Sequence, residues 1–109
     1  MAPYSEADLY APGGALADKR EGPELLATAT DSSLSAMFPK GVATQAQVMQ
    51  ALGVPGATSS TSDGTSVQVF THSYTAYQAR YVQIESLAVE YDHKGTVSKL
   101  TLTKSSNRW

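Results

Sequence analysis

The sequence predicts an α+β domain in which two short helices pack on one face of a three-stranded antiparallel sheet, in the order ααβββ. Three observations carry that prediction. Residues 44–52 spell a capped helix with one apolar stripe, and residues 31–38 carry a shorter helical pattern. From Val67 the periodicity changes to β-branched and aromatic residues in alternation, interrupted by one clear hairpin turn. Apolar stripes on both helices need a surface to cover, and one face of the sheet supplies it.

Residues 1–30 are punctuated by Pro3, Pro12, Gly13, Gly14, Gly22 and Pro23. They read as a flexible or loosely structured N-terminal segment, with single helical turns at residues 5–8 and 23–26. The folded domain then covers residues 31–109. Asp31, Ser32 and Ser33 are candidate caps for the first helix, and Leu34, Met37 and Phe38 fall at i, i+3 and i+4. Pro39 and Gly41 end it.

Thr44 is a good N-cap for the second helix, because Gln47 can reach back to the cap's own N–H. Val48, Ala51 and Leu52 form its buried stripe. Gly53 supplies a left-handed C-terminal residue, Val54 can fold back on the last turn, and Pro55 forbids continuation. Residues 56–66 are small and polar and read as an exposed loop.

The first strand begins with residues 67–74, and residues 77–81 either extend it or connect it to the next. Leu87, Val89 and Tyr91 alternate with Ala88, Glu90 and Asp92, as in a half-buried strand. Residues 92–95, Asp-His-Lys-Gly, make a hairpin turn, and residues 97–104 return as the last strand. Leu100 and Leu102 share a face while Val97 falls on the other, which calls for a bulge at Gly95 or a ragged strand start.

At 109 residues the chain suits one domain, and 41% hydrophobic content is ordinary globular usage. The net charge of −2 gives no general electrostatic reason to bind nucleic acid. Residues 1–35 hold six acids and two bases, whereas residues 36–109 hold six bases and four acids. That asymmetry fits an accessory arm joined to a compact module. The absence of cysteine excludes disulfides, thiolate metal sites and a cysteine nucleophile. No apolar run is long enough to span a bilayer, and the first residues lack the flank and apolar stretch of a secretory signal. A cytoplasmic protein and a chain starting after a removed signal both satisfy these observations.

Catalysis finds little in the sequence. His72 and His93 are the only histidines, and no His/Asp/Glu cluster has metal-ligand spacing. Glu90 and Asp92 fall on one strand face, but Lys94 and Lys99 beside them suggest an exposed ion-pair surface. Neither a Gly-x-Ser-x-Gly elbow nor a phosphate-binding glycine loop is present. The expectation is therefore a non-enzyme without metal or cofactor. Tyr74, Tyr77, Arg80 and Tyr81 are the candidate binding residues, since Tyr and Arg bring large contact area with a polar end.

The run Lys40-Gly41-Val42-Ala43-Thr44-Gln45-Ala46-Gln47-Val48, leading to Ala51-Leu52-Gly53-Val54-Pro55, resembles the signature of the BamE family, also called SmpA/OmlA. Residues 87–97, Leu-Ala-Val-Glu-Tyr-Asp-His-Lys-Gly-Thr-Val, look like that family's final β-hairpin, and Phe70 stands where its first strand carries an aromatic. The likeness covers about residues 33–102. It implies a small non-catalytic lipoprotein on the periplasmic face of the outer membrane, supporting assembly of β-barrel proteins. The implied partners are envelope proteins, with anionic lipid as a further contact and no nucleic acid. Membrane attachment would run only through a lipid anchor, the signal and acylated cysteine being absent from this sequence. Residues 71–83, taken as a loop, and the acidic N-terminal segment depart from the family pattern. The same fold serves β-lactamase inhibitor proteins, so a secreted or periplasmic enzyme inhibitor is the alternative function.

Overall fold

A computed structural model describes residues 17–109. The chain runs β1 (Lys19–Glu21), α1 (Leu25–Thr28), α2 (Asp31–Met37), α3 (Gln45–Leu52), β2 (Ala57–Ser60), β3 (Ser66–Ala76), β4 (Tyr81–Tyr91) and β5 (Val97–Arg108). The strands form one antiparallel five-stranded sheet. β3, β4 and β5 pair in order, and the outer side of β3 is shared by β1 at one end and β2 at the other.

This corrects the expected architecture of a three-stranded sheet carrying two helices. The protein is mostly sheet, with five strands and only short helices. β2 lies in the serine- and threonine-rich run expected to be a loop. All four of its residues are exposed, so it has no buried face and is held by backbone pairing with residues 66–69 of β3. Residues 17–30 contribute β1, which pairs with residues 73–75, and α1, which places Leu26 fully in the core. The turn expected at residues 5–8 lies outside the described residues.

The helix ends follow local chemistry. Thr30, just ahead of the candidate caps, opens α2 in a capping box with Ser33. Leu34 and Phe38 are buried, whereas Met37 turns outward. Thr44 and Gln47 form the expected capping box of α3, and Val48 and Leu52 are its buried residues, with Ala51 exposed. Gly53 has φ +82° and donates to the Met49 carbonyl. Val54 does not fold back; it is exposed.

Buried residues from β3 and β4 alternate on one sheet face: Gln68, Phe70, His72 and Ala76 beside Glu85, Leu87, Val89 and Tyr91. Phe70, Leu87, Val89, Tyr91 and Val97 join the helix residues Leu26, Leu34, Val48 and Leu52 in one apolar cluster. The register conflict at β5 resolves through a bulge at Ser98 rather than Gly95. Glu90 pairs with Lys99 and Tyr91 with Val97, so Val97 reaches the same face as Leu100 and Leu102. The Ser98 hydroxyl donates to the Glu90 carbonyl at 3.1 Å.

The segment ahead of α3 is stitched to the β4–β5 turn. Gly41 N–H donates to Val97, Gln45 N–H to Gly95, and Val97 N–H to Ala43. The two segments that carry the BamE likeness are therefore in direct backbone contact.

Candidate functional site

Residues 71–83 form the far half of the β3–β4 hairpin, not a loop; only residues 77–80 turn. The last strand pair is Ala76 with Tyr81, and Arg80 N–H donates to the Tyr77 carbonyl at 3.2 Å. Arg80 takes φ +53°, the left-handed conformation that closes the turn.

This geometry brings all four candidate binding residues to one end of the sheet. Tyr74 and Tyr81 lie on the face that is buried further up the hairpin, while Tyr77 and Arg80 lie in the turn. Neighbouring strands add further members. The Arg20 guanidinium, opposite Tyr74 on β1, sits 4.2 Å from the Tyr74 ring centre. Lys19 Nζ lies 5.7 Å from the Tyr77 ring, and Arg108, opposite Tyr81 on β5, lies 5.9 Å from the Tyr81 ring. Trp109 meets Tyr77 edge to face at 6.3 Å, and its N–H donates to the Arg80 carbonyl. The Tyr74 hydroxyl donates to Asp18 at 2.8 Å, which raises the phenol's pKa by favouring its protonated form.

Arg80, Lys19, Arg20, Arg108 and Trp109 are exposed and the three tyrosines half-buried, so the sheet end presents cations over aromatic rings. Lys19, Arg20, Arg108 and Trp109 were not among the expected site residues. Their place here depends on the pairing of β1 and β5, and only aromatic and basic residue type hinted at it.

A polar ladder runs from this end into the core along β4. Tyr81 Oη donates to Gln83 Oε1 at 2.8 Å, and Gln83 Nε2 donates to Glu85 Oε1 at 2.7 Å. Glu85 Oε2 stands 3.3 Å from His72 Nδ1, with both side chains fully buried. An open pocket of about 250 Å³ beside the ladder is lined by Tyr81, Gln83, Lys104, Ser105 and Ser106. The imidazole–carboxylate pair has the shape of an oriented base, but no substrate reaches two groups with no exposed surface.

The other titratable candidates lie in or beside the β4–β5 turn. Asp92 accepts from Lys94 N–H and Thr96 N–H, and from the Thr96 hydroxyl at 2.6 Å; these bonds, the hydroxyl's first, hold its carboxyl below the usual range. Asp92 is thus not part of the expected ion-pair surface. Glu90 stands opposite Lys99 in the β4–β5 register. His93 is exposed at the turn. Among the described residues no group of three His, Cys, Asp or Glu side chains is placed to hold a metal. No helix among them is long and apolar enough to cross a membrane.

Comparison with protein-family models, with curated proteins and with solved structures gives no match for this chain.

Proposed function

We propose that this protein is a non-catalytic interaction module of the bacterial cell envelope. It holds a partner protein through the aromatic and cationic end of its β3–β4 hairpin. The observation that carries this reading is the gathering of Tyr74, Tyr77, Arg80 and Tyr81 with Lys19, Arg20, Arg108 and Trp109 at one end of the sheet. Partner binding energy concentrates in Tyr, Trp and Arg: Tyr and Trp bury large areas at low ordering cost, and Arg brings a planar head with several donors. Strand pairing fixes the backbone that carries Lys19, Arg20, Tyr74, Tyr81 and Arg108, which lowers the backbone ordering lost on docking.

The envelope setting rests on the BamE-like segments at residues 40–55 and 87–97. On that reading the protein sits at the periplasmic face of the outer membrane and supports β-barrel assembly or envelope integrity. The test is photo-crosslinking from position 79, an exposed turn residue outside the cluster, in a bacterial envelope preparation, with the Tyr77→Ala/Arg80→Ala variant carrying the same crosslinker for comparison. Capture of an envelope protein that the double variant loses, with unchanged thermal midpoint, is the expected result. Equal capture by parent and variant overturns the reading.

A second reading, inhibition of a secreted enzyme, is favoured by the tight turn at residues 77–80, whose exposed Arg80 suits insertion into a cleft. Absence of inhibition of secreted hydrolases at micromolar protein removes it.

A further inference from the structure

The two edges of the sheet are built differently. On one side, β3 is covered by two strands of three and four residues, the kind of short, interrupted edge that resists pairing with another chain. On the other, β5 is twelve residues long and contains no proline; past Val97, whose N–H and C=O are taken by Ala43 and Gly41, it pairs among the described residues only with β4. Its outer row of backbone N–H and C=O groups is the template that strand addition uses.

The side chains of β5 select what can add. The strand holds Lys99, Lys104 and Arg108 and no acid. A second copy of this edge would bring cations against cations, so self-pairing is disfavoured, whereas an acidic strand is attracted. The charges are also ordered along one face. Leu100 and Leu102, half-buried against the core, stand opposite Val89 and Leu87; Lys104, Ser106 and Arg108 follow, opposite Glu85, Gln83 and Tyr81.

We infer that β5 is a strand-addition site for an extended segment of a partner protein, paired antiparallel. That segment carries acidic side chains at alternate positions first and apolar ones after them. In the antiparallel sense its acids meet Arg108 and Lys104, and its apolar residues extend the cover over Leu102 and Leu100. Backbone hydrogen bonds would supply affinity and the alternation would supply register. This edge site shares Arg108 with the hairpin end but rests on the backbone edge and charge order of β5, not on that reading.

The test uses the whole chain and a blocked peptide, Glu-Thr-Glu-Thr-Glu-Thr-Val-Thr-Ile-Thr, followed through backbone amide spectra at low salt. Shift changes confined to residues 98–108, with slowed exchange at alternate β5 amides, are expected. The Lys104→Glu/Arg108→Glu variant should bind about tenfold more weakly. So should the same peptide N-methylated along its pairing edge, which keeps every side chain and leaves the protein's fold untouched. Tyr77→Ala, which tests the hairpin end, should leave peptide affinity unchanged. The inference is overturned if a scrambled or N-methylated peptide binds equally well, or if shifts map to β1 and β2. A β5–β5 dimer in solution, or outer β5 amides already protected before peptide is added, overturns it equally.

Discussion

His72 Nδ1 faces Glu85 Oε2 across β3 and β4 at 3.3 Å, and neither side chain has exposed surface. For an ionised Glu85 the imidazole N–H is the donor, since a carboxylate only accepts. The carboxylate's second oxygen is satisfied by Gln83, but His72 Nε2 has no partner among the described residues. The pair therefore carries a desolvation penalty only partly offset by its own bonds. Glu85→Leu, which strands the imidazole, should lower the unfolding free energy by about 3 kcal/mol in urea titration. The double variant His72→Leu/Glu85→Leu should return to within about 1 kcal/mol of the parent, because an apolar pair needs no partners. Losses that simply add in the double variant would show that the two side chains act independently.

Tyr91 predicts an alkaline limit to stability. Its hydroxyl donates to Gln68 Oε1 at 2.8 Å, and burial pushes the phenol's pKa up to about 12. Below the unfolded value of about 10, the phenol is protonated in both states and its contribution is fully present. Between about 10 and about 12 the unfolded chain loses this proton while the folded chain keeps it. The unfolded state then binds fewer protons, so stability falls as pH rises, by at most about 1.4 kcal/mol per pH unit. Urea unfolding at a series of alkaline pH values, parent against Tyr91→Phe, isolates this group because shared titrations cancel. The parent should lose stability faster than the variant in that window; parallel curves would refute the assignment.

What the sequence reveals depends on how local the cause is. α3 is legible at both ends, because Thr44 and Gln47 bond within one turn and Gly53 and Pro55 act on their own backbone. β1 and β2 are not, since Lys-Arg-Glu and Ala-Thr-Ser-Ser are exposed on both faces and show no alternation. Their pairing comes from β3, which offers an open edge. The bulge follows from apolar periodicity, but its position at Ser98 depends on a cross-strand bond to Glu90. Tyr74, Tyr77, Arg80 and Tyr81 are close in sequence and so were readable as a group. Arg20, Arg108 and Trp109 arrive through strand pairing, and His72 with Glu85 through register, neither of which composition reports.

The Thr44 cap should be measurable on its own. Thr44 Oγ1 accepts from Gln47 N–H at 3.3 Å, and Gln47 Oε1 accepts from Thr44 N–H at 3.0 Å. Thr44→Ala removes the first bond and leaves an orphan donor in the first turn, at a cost of about 1 kcal/mol. Thr44→Ser keeps the oxygen and should recover most of that loss. Equal destabilisation by both substitutions, in chemical unfolding, would mean that the methyl group rather than the cap matters.

Gly22 separates a backbone conformation from a steric contact. It lies at φ +89° where β1 leaves the sheet, and a Cβ built there would overlap the carbonyl oxygen of Thr71. Gly41 has a similar φ of +74° with nothing near the corresponding position. Alanine at position 41 should therefore cost only the left-handed strain, about 1 kcal/mol. Alanine at position 22 adds a clash with backbone that cannot rotate away, so the loss should reach about 3 kcal/mol. The extra loss should be local first. Amide exchange at residues 19–21 and 73–75 should speed up, because β1 must move off β3 to make room. Arg20 then leaves the Tyr74 ring, so the same substitution should weaken partner capture at the hairpin end, whereas Gly41→Ala leaves it intact. Equal effects at the two glycines would show that the approach to Thr71 does not constrain the chain.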